Sequence, residues 1–320
     1  MSSTPSVFID GQAGTTGLRI HQLLANRTDL RVVSIDPERR KDPAARAEML
    51  NGCDAAILCL PDDAAREAVA LIEHPGVAVV DASTAHRVAD DWQYGLPELL
   101  PGQREAIAGS KRIANPGCYP TGTSLLLRPL VDAELLPADF PLTVHALSGY
   151  SGGGRALIEK WEGGDPGLAS LPFEAPYALG RRHKHIPEMR KYAGLKHEPQ
   201  FVPAVGPFRS GMRIEIPVHC SLLPSGVDAT ALHGTLFERY RDEACVRVLP
   251  LEEVQSVNER TFDPRVCEGT NRIELHVLPN AAGHVLLVAI LDNLGKGASG
   301  AAVQNLNLAL GLDELAGLKL

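Results

Sequence analysis

Residues 7–17 read Val-Phe-Ile-Asp-Gly-Gln-Ala-Gly-Thr-Thr-Gly, and the N-terminal third of the chain extends outward from them. The apolar run at 7–10 is typical of a short buried strand, and apolar side chains recur with helical spacing over residues 18–24. Glycines let a backbone approach a pyrophosphate, and the N–H groups at a helix start bind it. The pattern therefore predicts a dinucleotide loop, with cofactor contacts at Gly11, Gly14, Thr15, Thr16 and Gly17. A tight strand–helix turn without a ligand is the alternative, because the spacing is not the commoner Gly-x-Gly-x-x-Gly.

Alternation of strands and helices continues beyond this loop. Residues 31–35, 55–60 and 77–81 are largely apolar runs, as the buried strands of a parallel sheet require. Loops that follow parallel strands collect at one edge of the sheet, where ligands bind. Ser83, just after the run at 77–81, is therefore predicted to face the cofactor.

Three cations, Arg39, Arg40 and Lys41, follow the second predicted strand. Asp36 at the end of that strand suits the ribose hydroxyls of NAD, whereas arginines bind a 2′-phosphate through paired hydrogen bonds. The cations favour NADP(H), with Arg39 or Arg40 as the residue that contacts the 2′-phosphate. A solvated run of charges is the alternative.

Residues 115–122 read Asn-Pro-Gly-Cys-Tyr-Pro-Thr-Gly, between a short apolar run at 112–114 and a helix-compatible run at 123–127. Asn-Pro-Gly predicts a tight turn, which places Cys118 where a strand ends and a helix begins. Unpaired N–H groups and the positive end of the helix dipole favour thiolate there. Since the thiolate is the nucleophilic form, Cys118 is a candidate for covalent catalysis. A buried cysteine packed at a turn is the alternative.

The segment Ser-Gly-Tyr-Ser-Gly-Gly-Gly-Arg at 148–155 follows a predicted strand at 142–147. Exposed N–H groups, hydroxyls and one fixed positive charge suit an anion, so Ser148, Gly149 and Arg155 are candidate substrate contacts. A flexible surface loop is the alternative.

Two histidines, His183 and His185, come just before Ile186-Pro187-Glu188, which predicts the start of a helix. A His-x-His pair binds metal only with further ligands, and no third ligand of suitable spacing is evident, so no metal is expected. Acid/base work is the favoured interpretation, and the neighbouring Arg181, Arg182 and Lys184 are expected to depress the histidine pKa. Surface polar residues before a helix are the alternative.

The C-terminal half carries strand-like runs at 212–220, 246–249, 272–278 and 284–291, with one amphipathic helix at 230–240. Several strands in succession with few helices between them indicate an α+β domain with a mainly antiparallel sheet. A last helix, 301–310, has apolar positions suited to packing on the first domain. We therefore predict an α/β Rossmann nucleotide-binding domain, residues 1–117 with 299–320, and an α+β catalytic domain, residues 118–298.

Composition argues against several classes of function. A chain of 320 residues, 44% hydrophobic, is long enough for two domains, and a net charge of −8 without a long basic run argues against nucleic-acid or anionic-membrane partners. No apolar stretch reaches the length of a membrane span, and the N-terminus lacks a signal pattern. Six cysteines without Cys-x-x-Cys spacing are typical of the reducing cytoplasm, where we expect this protein.

At nearly full length the chain resembles the N-acetyl-γ-glutamyl-phosphate reductase family, in the shorter of its two forms. Besides the glycine loop, the segments 95–98, 115–122, 148–149, 183–188 and 292–307 carry the resemblance, and the motif around Cys118 is the specific one. The resemblance implies an NADPH-dependent enzyme of arginine biosynthesis that reduces a small-molecule acyl phosphate through a cysteine thioester. It also implies a homo-oligomer, a dimer or tetramer, held by the catalytic domain.

Several residue roles are implied by the resemblance alone. Cys118 matches the family's nucleophile, and of the two histidines in the acid/base segment we prefer His183. Asn293 and Lys296 match positions near the nicotinamide, and Asn115 is a candidate substrate contact. Arg209 departs from the family pattern, and its role stays open.

Three rival functions remain open at this point. A lysine-pathway reductase acting on a carrier-linked aminoadipyl phosphate is expected to have a more cationic surface than a net charge of −8 indicates. Aspartate-semialdehyde dehydrogenase differs around the cysteine, where this chain has Tyr119-Pro120. A nucleotide-sensing protein without catalysis would not need Cys118 together with both histidines.

Overall fold

The computed structural model describes residues 4–36, 38–40, 42–164, 166–180, 182–251, 257–258 and 260–320. The strands and helices of the N-terminal part are, in order, β1 (Ser6–Asp10), α1 (Thr15–Leu24), β2 (Arg31–Val33), α2 (Pro43–Asn51), β3 (Ala55–Leu58), α3 (Asp62–Ala70), β4 (Ala78–Asp81), β5 (Gln93–Tyr94), α4 (Gln103–Gly109) and β6 (Arg112–Ala114). They are followed by α5 (Cys118–Asp132), β7 (Thr143–Gly149), α6 (Gly154–Glu162), β8 (Ala175–Pro176), α7 (Ile186–Tyr192), β9 (Gln200–Gly206), β10 (Met212–Val218), α8 (Ala229–Tyr240), β11 (Val246–Val248), β12 (Ile273–Pro279), β13 (Val285–Leu291) and α9 (Gly300–Ala309). Short 3-10 turns lie at Tyr150–Gly153, Leu168–Ser170 and Cys220–Leu222, and a π-helical turn lies at Gly295–Ser299.

The chain divides into two compact units. Unit 1 contains residues 1–116 and 298–319, and unit 2 contains residues 117–297 and 320. The first unit is therefore built from both ends of the chain, with the second unit inserted between β6 and α9.

Unit 1 is organised around one parallel sheet. Its strand order is β2-β1-β3-β4-β6-β5, and every pairing among these strands is parallel. The central strands are buried along their length, which explains the apolar runs of the sequence. Helix α9 packs on this sheet through Ala302, Val303 and Leu306, which belong to one core cluster with Val7 and Ile57. The result is a Rossmann-like α/β sheet whose loops after β1 and β4 lie at its carboxyl edge.

Unit 2 contains a seven-stranded mixed sheet with the order β11-β12-β13-β10-β7-β9-β8. Among the described strands, four neighbouring pairs are antiparallel and two, β7 with β9 and β11 with β12, are parallel. The predicted α+β sheet is present, but the expectation of a mainly antiparallel sheet is met only in part. The reason is that the crossover from β7 to β9 contains the helices α6 and α7, which return the chain in the same direction.

Helix α5 packs tightly on the second sheet. A Cβ added at Gly122 would lie 2.5 Å from Cδ1 of Ile214 and 3.2 Å from Cβ of Ala289, so glycine allows the helix to approach β10 and β13. Pro120 is compatible with the first turn, where backbone N–H groups have no partner within the helix. This packing fixes the N-terminal end of α5, and with it Cys118.

No described helix is long and apolar enough to cross a bilayer.

Candidate functional site

The glycine loop of unit 1 is shaped by two close backbone approaches. Gly11 has φ +87°, and a Cβ there would lie 2.3 Å from the carbonyl oxygen of Cys59. A Cβ at Gly17 would lie 2.6 Å from the carbonyl oxygen of Gly11. Glycine at these two positions is therefore required by the fold of the loop itself, whatever the loop binds.

Gly14 differs from both. A Cβ there would lie 3.5 Å from the Gly11 carbonyl oxygen, which is an ordinary contact. Gly14 is also the N-cap of α1, where no side chain accepts a hydrogen bond from the helix start, and no acidic residue lies in the first turn, which begins with Thr15 and Thr16. Open N–H groups at the positive end of a helix dipole fit a pyrophosphate.

The predicted 2′-phosphate residues lie on the surface of unit 1. Arg39 and Arg40 are exposed, and Arg39 forms an ion pair of 3.5 Å with Asp42. Lys41, the third cation of the run, lies outside the described residues. A more buried pair that the sequence did not reveal joins Arg46 of α2 to Asp10 at the end of β1, with 2.7 Å between Nη2 and Oδ2. This pair ties α2 to the strand that leads into the glycine loop.

Two further predicted residues of unit 1 are engaged within the unit. The Ser83 hydroxyl donates to the buried carboxylate of Asp81 at 2.7 Å and accepts the N–H of Ala85. The Asn115 amide donates to the carbonyl of Ala298 and accepts from Asn305, both at 3.0 Å. Both side chains hold the loops at the ends of β4 and β6, and any ligand contact they make has to coexist with these bonds.

Unit 2 contains a cavity of about 440 Å³ that brings five predicted residues together: Cys118, Ser148, Gly149, His183 and His185. These residues come from α5, from the end of β7 and from the segment before α7. The remaining walls come from α6, from β8 and from the aromatic rings of Tyr119 and Tyr177. Within the described ranges, no group of three or more His, Cys, Asp or Glu side chains is placed to hold a metal ion.

Cys118 is the first residue of α5, directly after the N-cap Gly117. The N–H of Gly117 donates to Oε1 of the buried Glu188 at 2.8 Å, which fixes the turn against α7. On the other side, a Cβ at Gly297 would lie 2.7 Å from Cβ of Cys118, so the chain at Gly297 packs directly on the cysteine. The cysteine thus has a fixed position at a helix start and a half-buried side chain facing the cavity.

His183 is the centre of a hydrogen-bonded chain on the cavity wall. Its Nδ1 accepts the backbone N–H of His185 at 3.2 Å, and its Nε2 lies 3.3 Å from the hydroxyl of Tyr177. The Tyr177 hydroxyl lies 3.1 Å from that of Tyr119. Since Nδ1 accepts, the neutral ring carries its proton on Nε2, which is therefore a donor.

Burial keeps this histidine neutral. It lowers the pKa of His183 to about 4, and the charge of Lys184 adds to the effect. The neighbouring cations were expected to be the cause, but desolvation is the larger one, because the ring is enclosed by the rings of Tyr119, Tyr177 and Phe201. Arg182 forms an ion pair with Glu198 instead, and Arg181 lies outside the described residues.

Tyr119 and Tyr177, the two tyrosines bonded in this row on the cavity wall, are also kept neutral. Burial raises the pKa of Tyr177 to about 12, and burial raises the pKa of Tyr119 well above its usual range. Both hydroxyls therefore hold their protons at neutral pH. His185 is buried, and its ring lies 5.7 Å from that of Tyr119 and 4.9 Å from that of His183, between centroids. Its backbone N–H sets the tautomer of His183.

The segment at 148–155 is more ordered than a glycine loop. It runs from the end of β7 through a 3-10 turn into α6. Ser148 and Gly149 reach the cavity, but Arg155 does not line it. The Arg155 side chain is 78% exposed and pairs with Glu159 one turn along α6, with 2.7 Å between Nε and Oε1.

Three other residues singled out from the sequence lie in unit 2. Asn293 donates to Oγ of Ser151 at 3.0 Å and accepts the N–H of Gly211 at 2.8 Å, so its amide joins two loops. Lys296 is fully buried in the π-helical turn. Arg209, whose role was open, has an exposed side chain paired with Glu162 of α6, and its carbonyl accepts the N–H of Ser151.

Sequence reasoning missed Tyr177, Glu188, Lys160 and Trp161. Tyr177 follows β8, a strand of two residues whose apolar pattern is too short to be recognised. Glu188 was visible only as an acidic residue in the first turn of α7. Lys160 and Trp161 lie in a helix that the glycines at 152–154 concealed, although Leu157 and Trp161 have the spacing of one helix face.

Family models match both units. Residues 6–109 match the model described as semialdehyde dehydrogenase, NAD binding domain. Residues 118–293 match the model described as semialdehyde dehydrogenase, dimerisation domain.

Individual proteins are similar over almost the whole chain. The identity is 54% to an N-acetyl-gamma-glutamyl-phosphate reductase of Burkholderia orbicola, over 97% of this chain and 98% of that protein. It is 52% to an N-acetyl-gamma-glutamyl-phosphate reductase 2 of Pseudomonas putida, over 96% and 97%. Among solved structures, aspartate semialdehyde dehydrogenase II of Vibrio cholerae has a similar fold, with a TM-score of 0.70 and 16% identity over 97% of this chain and 99% of that one.

Proposed function

The chain belongs to the family of N-acetyl-gamma-glutamyl-phosphate reductases, and from this premise we propose that it reduces N-acetyl-γ-glutamyl phosphate to N-acetylglutamate semialdehyde. The reaction uses NADPH, releases phosphate and is a step of arginine biosynthesis. The observation that carries the proposal is the position of Cys118, at a helix start and in one cavity with a neutral histidine.

We assign NADP(H) to the first domain, residues 1–117 with 299–320, and catalysis to residues 118–298. The open N–H groups at the start of α1 and the accessible backbone of Gly14 support the loop 11–17 as the pyrophosphate site. Arg39 and Arg40 are the candidates for the 2′-phosphate, because they are exposed and follow β2. Asn293, Lys296 and Ser83 stay candidate cofactor contacts.

Cys118 acts first. Its thiolate attacks the acyl phosphate carbon, and an oxyanion forms on the substrate oxygen. Collapse of this tetrahedral species breaks the bond to the phosphate oxygen, so phosphate leaves and a thioester remains on Cys118. Backbone N–H groups at the start of α5 are suited to the oxyanion, and comparable donors contribute roughly 3–4 kcal/mol each.

Bound NADPH would supply a hydride to the thioester carbon. The product would be a second tetrahedral species, with its negative charge on the oxygen attached to that carbon. That species expels the Cys118 thiolate and releases the aldehyde. Thiolate attacks and thiolate leaves, so the cycle requires no net proton transfer at sulfur. The one proton that the overall reaction consumes is taken from solvent by the departing phosphate.

In this cycle His183 acts as a hydrogen-bond donor and does not have to take up a proton as a general base. Its Nδ1 lone pair accepts the His185 N–H, so the N–H that His183 can donate is at Nε2, which lies 3.3 Å from the Tyr177 hydroxyl. We propose that neutral His183 donates this hydrogen bond to the oxyanions, supported by Tyr177. A neutral imidazole suits this task because it stabilises the oxyanion without adding a charge that would hold the departing phosphate.

The cavity chemistry also favours an N-acylated substrate over aspartyl phosphate. Among the described residues that line the cavity, none carries a carboxylate, whereas two, Lys160 and Lys184, are cations. A free α-ammonium group would need an acidic partner, and acetylation removes this requirement. The lining of the cavity therefore argues against the aspartate-semialdehyde alternative, which the similar fold alone would allow.

We propose a cytoplasmic homo-oligomer, a dimer or tetramer. The match of unit 2 to a dimerisation domain supports assembly. The six cysteines are free thiols, which supports a reducing compartment.

The reverse reaction tests the function directly. We expect phosphate-dependent reduction of NADP with N-acetylglutamate semialdehyde and at least about 100-fold lower kcat/KM with aspartate semialdehyde, a factor typical of a missing or mismatched polar group. Equal kcat/KM values for the two aldehydes would contradict the assignment, and the absence of phosphate dependence would contradict an acyl phosphate as the substrate.

A further inference from the structure

Helix α6 forms one wall of the catalytic cavity. Leu157, Lys160 and Trp161 line the cavity from this helix, at the spacing that places side chains on one face. Trp161 is only 3% exposed and stacks on Tyr150 with ring centroids 5.7 Å apart. It belongs to an apolar cluster with Val205, and Leu157 packs against that cluster. This wall is apolar except for the ammonium group of Lys160.

The charges on α6 are distributed unevenly. Both acidic residues of the helix are paired with arginines, Glu159 with Arg155 and Glu162 with Arg209. Within the described ranges Lys160 has no ion-pair partner, although the two carboxylates are on its own helix. Since the described cavity lining contains no carboxylate either, the positive charge of Lys160 is available to a ligand.

The second cation of the cavity, Lys184, comes from the segment before α7. Lys184 lies between His183 and His185 in the chain, and its charge acts on His183. Its charge is therefore on the segment that carries the two histidines. Lys160 is on the apolar wall formed by α6, so the two cations of the cavity come from separate elements of unit 2.

We infer that Lys160 binds the α-carboxylate of the substrate and that the wall of Leu157 and Trp161 receives its acetyl methyl group. This inference rests on the proposed function. In N-acetyl-γ-glutamyl phosphate the acetyl group has neutralised the amine, so the end away from the phosphate presents one carboxylate beside one methyl group. A single cation at the border of an apolar surface is complementary to that pair. Lys160 is thus a specificity-determining residue for the N-acylated amino acid.

The test compares two aldehydes that differ only in the carboxylate. N-acetylglutamate semialdehyde has it, and 4-acetamidobutanal lacks it. In phosphate-dependent NADP reduction, Lys160→Met is expected to raise KM for the first aldehyde by about 10- to 100-fold, the loss expected for one charged hydrogen bond, with kcat within about twofold. For 4-acetamidobutanal, followed both as a substrate and as a competitive inhibitor, wild type and Lys160→Met are expected to be equal.

Two further variants separate a ligand contact from a structural role. Lys160→Arg keeps the charge and is expected to recover most of the lost affinity. Lys196→Met removes a lysine of unit 2 whose side chain is 66% exposed and paired with Asp139, and it is expected to leave both aldehydes unaffected. Equal losses with the two aldehydes in Lys160→Met, or an unchanged KM for N-acetylglutamate semialdehyde, would overturn the inference. If wild type does not act on N-acetylglutamate semialdehyde at all, it is the proposed function that fails.

Discussion

The glycine loop of unit 1 and the cavity of unit 2 are built on different plans. The loop is shaped by backbone contacts and offers backbone groups to a ligand. Two glycines permit close approaches of the chain to itself, and Gly14 leaves the N–H groups of α1 accessible. The cavity uses side chains from α5, β7, α6, β8 and the segment before α7, which are far apart in the chain. The first site is therefore sensitive to backbone geometry, and the second to which groups are buried beside one another.

The largest effect is expected at the nucleophile. Cys118→Ser replaces a thiolate by a hydroxyl that stays protonated, so turnover is expected to fall by at least about 10⁴-fold. NADPH binding, followed by fluorescence titration, is expected to be unchanged, since that site is assigned to unit 1. Cys220→Ser, a matched change at a half-buried cysteine outside the cavity lining, is expected to retain activity. Near-normal turnover of Cys118→Ser would remove the covalent mechanism.

Two alanine substitutions test the backbone character of the loop. Gly11→Ala requires positive φ in a residue with a Cβ and brings that atom within 2.3 Å of a backbone oxygen, so we expect a loss of about 1–3 kcal/mol in the free energy of unfolding, or more. Gly14→Ala has room for its Cβ and is expected to cost no more than about 1 kcal/mol.

Urea unfolding and NADPH titration separate the two roles. Gly14→Ala is expected to weaken NADPH binding while remaining folded, because its Cβ would project where the pyrophosphate approaches the helix start. If Gly14→Ala bound NADPH as wild type does, the loop would be a structural turn without a ligand, which is the alternative stated for this motif.

A smaller effect, on the pH dependence of the free energy of unfolding, is expected from the buried imidazole of His183. The folded-state pKa of His183 is about 4, below the value of about 6.5 for an unfolded chain. Between these values the unfolded state binds more protons than the folded state, so stability is lost as the pH falls from 6.5 to 4. His183→Gln is expected to lack this pH-dependent loss in the free energy of unfolding, which is on the order of 1–3 kcal/mol.

The measurement is urea unfolding at pH 7 and pH 5 for wild type and variant. His197→Gln, which removes an exposed histidine of the same unit, is expected to keep the wild-type pH dependence. An identical pH dependence in wild type and His183→Gln would show that His183 is not held neutral by burial, and its proposed role as a neutral donor would fall with it.

Local patterns predicted the elements well where a few neighbouring residues are sufficient. The strand predicted at 7–10 is observed at Ser6–Asp10, and the helix predicted at 230–240 is observed at Ala229–Tyr240. Helix α6 was missed because three glycines at 152–154 resemble a loop, and Arg155 was consequently assigned to substrate although it pairs with Glu159. The parallel pairing of β7 with β9 was also missed, since strand direction depends on the crossover between them.

The amino-acid sequence by itself determined the strand–loop–helix order of the first 24 residues and the location of Cys118 at a helix start, because both follow from turn residues and short-range periodicity. Only the tertiary structure decided that Tyr177 contacts His183, that burial rather than neighbouring charge keeps that histidine neutral, and that Lys160 lies on an apolar wall of the same cavity. Desolvation and contacts between distant segments are properties of packing, and a list of residues does not contain them until the chain has brought those segments together.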